Sequence, residues 1–342
     1  PPAIAITGAR QFFQAPQGYP MSVSPLPSFE DFCALPHAFT MLGMSGVGKT
    51  LLSSRLRKTS NWYHFSADYR IGTRYLSEDI LDNIKQKIMA MEDRFVADLL
   101  RSDSIYINHN ITFENLDPVS TFLGMFGDPA LKGLPKAEFL RRQDLYRRAE
   151  VASMLDVSGF IRKAWTLYGC DSFINDASGS LCEIVDIDDP QDPVIASLGA
   201  ETLTIYLRSN DYYEAKLIER AQASPKPLFY NPAFITPRLA TMPDSGAGIN
   251  PVQFAGPLFP DLIEFRRPRY QAYADRYGFS LDADDLFKGM PAENGGPGPE
   301  SFLRMIYDIM AADLAAGRPG AALLVETYLA ACATRRETRK IR

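Results

Sequence analysis

Eight consecutive residues near the start of the chain constrain its fold more than any other feature. Residues 43–50 read Gly-Met-Ser-Gly-Val-Gly-Lys-Thr, an intact G-x-x-x-x-G-K-[ST] motif. A short apolar run at 38–42 precedes the motif, and an amphipathic segment at 50–58 follows it. A glycine-rich turn between a buried strand and a helix points backbone N–H groups at phosphate oxygens. The motif in this context therefore predicts a phosphate-binding loop within an α/β fold.

The loop predicts binding of ATP or another nucleoside triphosphate, together with Mg²⁺. We expect Lys49 to reach the β- and γ-phosphates and the Thr50 hydroxyl to ligate the metal. Binding without turnover stays open as an alternative, because phosphoryl transfer also needs groups that activate the acceptor and cover the spreading charge. The predicted nucleotide-binding residues are Gly43, Ser45, Gly46, Val47, Gly48, Lys49 and Thr50, with Arg220 and Lys226 as cations that fold over the phosphates.

Two acidic residues come directly after predicted strands. Asp68 follows the short strand at 62–65, and Asp176 ends the strand at 173–175. Ligands of open α/β sheets bind beyond the carboxyl ends of the strands. Asp68 could hold Mg²⁺ through water or accept a substrate hydroxyl proton. The alternatives are that Asp68 is an ordinary acidic residue in a turn and that Asp176 caps the end of a strand. The candidate catalytic residues are Lys49, Asp68 and Asp176, and the candidate metal ligands are Thr50, Asp68 and Asp176.

Composition excludes several other classes of protein. The 342 residues include 46% hydrophobic residues and carry a net charge of -5, typical of a globular chain. No apolar run approaches the ~18 residues that a membrane helix needs, so no membrane span is predicted. The mild acidity argues against a general nucleic-acid coat, and RNA association through arginine clusters is the last-ranked interpretation. The four cysteines and three histidines are scattered, which argues against a zinc site.

The alternation of strands and helices predicts a parallel sheet with helices on both faces. A long amphipathic helix is expected after residue 77, capped by the Ser77 side chain and broken near Met91. Residues 225–262 are rich in proline and glycine and are predicted to be irregular, with a helix opening at Pro268. The predicted organisation is a Pro-rich arm at 1–36, a P-loop kinase-like domain at 37–317 with insertions near 103–135, 183–200 and 229–262, and a helical, basic extension at 318–342.

The order of these motifs resembles the small-molecule kinases of the P-loop fold, the shikimate and gluconate kinase type. Ser66-Ala67-Asp68 stands where shikimate kinases keep Asp-x-Asp, and residues 176–180 stand where they have a glycine-rich substrate loop. Residues 224–228 are similar to the Arg-Pro-Leu stretch after their lid. The resemblance implies a three-layer α/β P-loop fold, ATP and Mg²⁺ as cofactors, and phosphoryl transfer to a hydroxyl. The missing first acid and the single Gly179 make shikimate itself a poor candidate acceptor.

Residues 39–314 are also similar to uncharacterised alphaproteobacterial proteins labelled only as ATPases. The similarity is carried by DYRIGTRYL at 68–76, NITFENLDP at 110–118 and SGSLCEIVD at 178–186. This family implies a nucleotide-binding P-loop domain with no established substrate. A bacterial-type core with added ends and no starting methionine predicts the matrix side of the mitochondrion, with the cytoplasm as the alternative.

Two functions follow from these patterns. The first is an ATP- and Mg²⁺-dependent phosphotransferase that acts on an unidentified hydroxyl-bearing acceptor. The alternative is an accessory subunit of a large mitochondrial complex, such as a respiratory complex or a ribosome, with little or no catalysis. In that case a retained nucleotide would stabilise the fold as a structural ligand. The arm, the insertions and the basic tail would then contact neighbouring proteins.

Overall fold

The sheet of this protein is entirely parallel. A computed structural model describes residues 26–288 and 296–340, so most of the predicted arm and residues 341–342 lie outside the described residues. In these ranges the strand order is β2-β3-β1-β4-β5. The predicted α/β P-loop fold is confirmed. The strands are β1 (Ala38–Leu42), β2 (Trp62–Ser66), β3 (Ser172–Asp176), β4 (Leu203–Arg208) and β5 (Gly278–Asp282).

Helices cover both faces of the sheet, and two of them span more than 25 residues. A π-helical turn at Ile71–Tyr75 and a 3₁₀ turn at Pro129–Leu131 complete the regular structure. The α-helices are α1 (Phe29–Cys33), α2 (Lys49–Thr59), α3 (Ala67–Arg70), α4 (Ser77–Met89), α5 (Phe95–Arg101), α6 (Asp117–Leu123), α7 (Lys136–Thr166), α8 (Leu181–Ile184), α9 (Pro193–Glu201), α10 (Asp211–Ala223), α11 (Pro232–Leu239), α12 (Pro251–Tyr277), α13 (Ala283–Phe287), α14 (Pro299–Ala315) and α15 (Ala321–Lys340).

Alternating side chains of the strands build a core on each face of the sheet. On β1, Phe39 and Met41 pack toward α2, α14 and α15. Ala38 and Leu42 point the other way, toward α7, α9 and α12. Each fully buried large apolar side chain contributes about 1.5–3 kcal/mol, so these two layers hold the sheet rigid. The edge of the sheet that carries the phosphate loop is therefore a fixed platform.

A third, smaller core lies beside the residues that follow β2. Ile71 and Ile80 pack there against Val119 and Phe122 of α6, and Phe229 joins them. Residues 103–135, predicted as a mixed insertion, thus contribute a helix to a packed cluster. Because α6 contacts α4 and α7, it covers the segment that begins at Asp68.

The proline-rich region differs from the prediction. Residues 225–262 contain α11 and the first part of α12, and the helix expected to open at Pro268 begins at Pro251. Pro257, Pro260 and Pro268 lie inside α12, although each removes a backbone donor. Packing of this helix against α10, β4 and β5 outweighs that local cost.

The predicted cap at Ser77 is also wrong. Ser77 is the first residue of α4, its hydroxyl bonds His109 Nε2 at 2.7 Å, and no side chain caps this helix. The break expected near Met91 is confirmed, because α4 ends at Met89 and α5 begins at Phe95. In the described ranges, no helix has the length and apolar character needed to cross a membrane.

Candidate functional site

Three adjacent strands bring the predicted site residues to one edge of the sheet. β3 lies between β2 and β1, and Asp176 at its end is in register with Ser66 and Met41. The phosphate loop leaves β1 directly after Leu42, and Asp68 lies two residues beyond β2. The Ser66 side chain accepts a hydrogen bond from Tyr69 N and so caps the turn that presents Asp68. The loop, Asp68 and Asp176 therefore share one end of the sheet.

The phosphate loop depends on glycine at three positions. Gly43, Gly46 and Gly48 have φ values of +143°, +87° and +108°. A Cβ atom on Gly43 would lie 2.7 Å from the Leu207 carbonyl oxygen, so a side chain is excluded there. Gly48 is also the N-cap of α2, which places the loop at a helix N-terminus. This backbone has the concave form that binds phosphate groups.

The side chain of Lys49 lies inside this loop. Its Nζ donates hydrogen bonds to the Gly43 carbonyl at 2.7 Å and to the Met44 carbonyl at 3.1 Å. Burial lowers the pKa of Lys49, and the carboxylates of Asp176 and Asp68 act in the opposite direction. The ammonium group is thus held by weak neutral acceptors that phosphate oxygens can replace. Ser45 and Thr50 are exposed on the same loop.

A groove of about 260 Å³ runs along the outer side of the loop. Leu217 and Arg220 of α10 and Phe287 of α13 line it. The Arg220 guanidinium lies 3.9 Å from the position of a Cβ atom on Gly46, within reach of a bound phosphate. Arg220 thus lies beside the loop, whereas Lys226 lines a different cavity.

That second cavity, called the Asp68 cavity below, has a volume of about 210 Å³. It joins the phosphate loop at Ser45 and carries both polar and apolar side chains. Leu116, Val119 and Leu123 form its apolar side. The polar side chains on its walls are Ser45, Asp68, Asp117, Ser120, Tyr146, Ser178, Ser180, Lys226 and Arg266.

A chain of hydroxyl groups runs from Asp68 into the core. Tyr146 Oη donates to Asp68 Oδ1 at 3.2 Å and lies 3.2 Å from Ser178 Oγ. Ser178 Oγ lies 3.0 Å from Ser180 Oγ, and Ser180 Oγ bonds Glu150 Oε2 at 2.6 Å. Glu150 is fully buried, and its other oxygen has no hydrogen-bond partner. These five groups are called the hydroxyl chain below.

The two carboxyl groups of the hydroxyl chain have unusual electrostatic surroundings. Burial raises the pKa of Asp68, and so does the nearby Asp176, whereas Lys49 and the hydroxyls of Tyr146 and Ser178 lower it. Burial raises the pKa of Glu150 to about 8. Asp68 borders the cavity, and a perturbed carboxyl group in such a position is typical of functional sites.

A buried ion pair supports the opposite wall of the Asp68 cavity. Arg266 Nε donates to Glu183 Oε1, and both side chains are at most 3% exposed. Arg266 Nη2 also donates to the Phe229 carbonyl at 3.0 Å, and Glu183 Oε2 accepts from Asn231 N at 2.7 Å. The pair thereby holds the segment after Lys226 against the cavity.

The donor set near the loop fits Mg²⁺ bound in part by phosphates. Thr50 supplies an exposed hydroxyl and Asp176 a carboxylate at the strand end. No group of three or more His, Cys, Asp or Glu side chains suited to a metal occurs within 26–288 and 296–340. Mg²⁺ commonly uses one or two protein oxygens, with water and substrate phosphates completing its shell. His64 Nε2 lies 3.5 Å from Asp176 Oδ2 but makes no hydrogen bond to it.

The arginines considered for RNA are engaged within their own helix. Arg141 and Arg142 pair with Glu138, and Arg147 and Arg148 pair with Asp144. Such pairs on one helix are ordinary surface features. These pairs add nothing in favour of the RNA interpretation.

Several site residues carry little or no signal in the sequence and were not predicted. Tyr146 and Glu150 lie four residues apart on α7 and face inward, a spacing that puts both on one helix face. A glutamate among buried positions was the available signal. Arg266 and Glu183 carried no signal, because their pairing depends on the packing of α12 against α8.

The chain is similar to solved structures, whereas no family model and no curated protein matches it. A shikimate kinase from Bacteroides thetaiotaomicron covers 80% of this chain and 98% of its own, at 14% identity and a TM-score of 0.35. A shikimate kinase from Acinetobacter baumannii in complex with shikimate covers 83% and 98%, at 12% identity and a TM-score of 0.36. These scores carry no argument about function. The relation to alphaproteobacterial ATPases stays a prediction.

The sheet order and the loop define the class of this protein by themselves. A parallel sheet in the order 2-3-1-4-5 with a glycine loop after its central strand is a P-loop fold of kinase-like type.

Proposed function

We propose that this protein is an ATP- and Mg²⁺-dependent phosphotransferase that acts on a small hydroxyl-bearing acceptor. One observation supports this most directly: the Asp68 cavity opens onto the phosphate loop at Ser45 and has a carboxylate on its wall. A hydroxyl bound there would lie between the loop and Asp68. Transfer requires that the acceptor and the γ-phosphate be held together while water is kept out.

Different residues would bind the nucleotide, the metal and the acceptor. The loop amides and Lys49 bind the β- and γ-phosphates, and Arg220 approaches them from α10. Thr50 and Asp176 would hold Mg²⁺, which neutralises charge on the phosphates. Asp68 accepts the hydroxyl proton as the acceptor oxygen bonds phosphorus and the bond from phosphorus to the leaving oxygen breaks. Lys226 and the apolar side of the cavity would orient the acceptor.

The test combines two substitutions with a transfer assay. Lys49→Ala should weaken ATP binding and remove turnover, whereas Asp68→Asn should leave ATP binding unchanged and lower turnover by about 10²-fold. ATP affinity is measured by calorimetry, and transfer is measured with γ-labelled ATP and a fractionated metabolite pool. Lys58→Ala on α2 and Asp82→Asn on α4 are exposed controls of matched charge. Equal turnover in Asp68→Asn would remove Asp68 from the mechanism.

A second candidate is an accessory subunit of a large assembly, in the mitochondrion or the cytoplasm. The observation that favours it is a group of exposed apolar side chains around α5: Met91 is 53% exposed, Phe95 69% and Tyr106 89%. Exposed apolar patches commonly mark contacts with other proteins. Size exclusion of a native extract separates the two candidates, because a subunit would elute with a very large complex. Elution as a free chain, with transfer activity, would reject the accessory-subunit role.

A further inference from the structure

The hydroxyl chain joins two carboxyl groups through three hydroxyl groups. Its line of four contacts runs from Asp68 to Tyr146, from Tyr146 to Ser178, from Ser178 to Ser180, and from Ser180 to Glu150, and the Ser178 hydroxyl also acts on Asp68 directly. The contacts at Ser180 are 3.0 and 2.6 Å long, the usual range for hydroxyl hydrogen bonds, and the two contacts of Tyr146 are longer, at 3.2 Å.

Each of these contacts needs one proton to be a hydrogen bond. The three hydroxyls supply three protons for four contacts. The chain is therefore complete only when one of its two carboxyl groups is protonated and donates as well. With both carboxyls ionised, Tyr146 and Ser178 would donate to Asp68 and Ser180 to Glu150, which leaves the buried Glu150 carboxylate with a single donor and its Oε1 without one. A buried charge with so few partners is costly.

The surroundings decide which end carries the proton. Burial and the nearby Asp176 raise the pKa of Asp68, but Lys49 and the hydroxyls of Tyr146 and Ser178 favour its ionised form, and its side chain borders the cavity. Glu150 is 0% exposed and makes no direct ion pair. The charged groups that act on it are Asp68 and Glu183, which disfavour its ionisation, and Arg266, which favours it. Tyr146 and Cys182, also near Glu150, stay neutral because burial raises their pKa values.

We infer that Glu150 holds a proton in the folded protein at neutral pH and orients the hydroxyl chain so that Tyr146 donates to an ionised Asp68. The role of Asp68 as proton acceptor rests on the proposed function, whereas the proton on Glu150 does not. Glu150 touches no substrate and is a positioning residue. During transfer the acceptor proton moves to Asp68, and Glu150 keeps its own proton throughout.

The proton on Glu150 also affects stability, independently of catalysis. A carboxyl with a pKa of about 8 in the folded chain and an ordinary value near 4.5 in the unfolded chain binds a proton only when folded over that interval. The folded state gains from this proton below the unfolded pKa. The gain is lost as the pH rises toward about 8, and the folding equilibrium constant falls about tenfold per pH unit.

The decisive experiment compares urea unfolding of the full chain and of Glu150→Gln from pH 5 to pH 8. The glutamine side chain of this variant keeps the shape and donates from its amide to Ser180, but it does not titrate. The ratio of the wild-type to the variant folding constant should fall about tenfold per pH unit. Asp144→Asn, an exposed change on the same helix, should follow the wild type. Parallel curves for wild type and Glu150→Gln would mean an ionised Glu150 and would overturn the inference.

A second measurement tests the orienting role, with ATP, Mg²⁺ and water as the acceptor. The rate of phosphate release by the wild type should fall between pH 7 and pH 9 as Glu150 ionises. The rate for Glu150→Gln should be the same at pH 7 and at pH 9. An alkaline fall that is the same in both proteins would reject the orienting role. If neither releases phosphate, water is excluded from the site, and the same comparison of pH 7 with pH 9 is made with transfer of the labelled γ-phosphate to the metabolite pool. The absence of transfer as well would reject the proposed function of Asp68 together with the orienting role, while the unfolding series decides independently whether Glu150 holds a proton.

Discussion

The phosphate loop and the Asp68 cavity are neighbours that are built in different ways. The loop consists of consecutive residues, 43–50, and depends on three glycines with positive φ. The cavity is assembled from α3, α6, α7, α12 and the segments at 178–180 and 226–229. A phosphate site can therefore be a local property of the chain, whereas an acceptor site is a property of the packed fold. The difference explains why the nucleotide is easier to infer than the acceptor.

The substitution with the largest expected effect disrupts the Asp68 cavity and leaves the phosphate loop unchanged. Glu183→Ala leaves the buried guanidinium of Arg266 without its carboxylate, which typically costs about 3–5 kcal/mol. We expect urea unfolding to show a loss of this size. Glu264→Ala removes an exposed partner of Arg267 and should cost less than about 1 kcal/mol. Similar small losses in both variants would show that the Arg266 pair does not support the cavity.

The substitution with the next largest expected effect disrupts the phosphate loop and leaves the Asp68 cavity intact. Gly48 has φ +108°, and a Cβ atom there would lie 2.6 Å from the Phe287 ring. Forcing alanine into this conformation costs about 1–3 kcal/mol, so Gly48→Ala should lower ATP affinity about tenfold. Calorimetric titration with ATP and Mg²⁺ measures the change.

Gly199→Ala is the matched control for the loop variant. Gly199 lies in α9, and a Cβ atom added there would meet no other atom within 4 Å, so alanine should fit. A helical alanine adds about 0.5–1 kcal/mol of stability. If ATP bound equally to Gly48→Ala and Gly199→Ala, the loop would not depend on its glycine geometry.

A substitution with a smaller expected effect tests whether the Asp68 cavity and the phosphate loop act separately. Tyr146→Phe removes the hydroxyl that bonds Asp68 and interrupts the hydroxyl chain. Loss of a hydrogen bond to a buried charged group costs about 1–3 kcal/mol, so turnover should fall about tenfold with ATP affinity unchanged. Tyr75→Phe removes a similar bond to Asp156, outside the cavity, and should keep turnover. Reduced ATP affinity in Tyr146→Phe would show that the two regions are not separable.

The smallest effect is expected at the end of β4, the strand that pairs with β1. Arg208 ends β4 and pairs with Asp282 of β5, and both side chains are more than 40% exposed. Arg208→Ala should change the free energy of unfolding by less than about 1 kcal/mol and leave ATP affinity unchanged. A tenfold loss of ATP affinity would instead place Arg208 among the nucleotide-binding residues.

Prediction from the sequence succeeded where local chemistry is sufficient. The strands at 38–42 and 203–207 are apolar runs bounded by turn residues, and both are found as predicted. It failed at α12, because local rules end a helix at proline while tertiary packing keeps this one intact. The Asn-Pro pairs at 231–232 and 250–251 were usable start signals, since each asparagine caps the helix that follows.

The sequence by itself determined the phosphate loop, because eight adjacent residues contain the whole of its geometry. It also determined the positions of Asp68 and Asp176, because parallel strands bring their carboxyl ends to one edge. Only the tertiary structure decided that Tyr146, the serines at 178 and 180, and Glu150 form a continuous chain. The physical reason is that these contacts, and the burial that sets the protonation of Glu150, arise from helices packed together far along the chain.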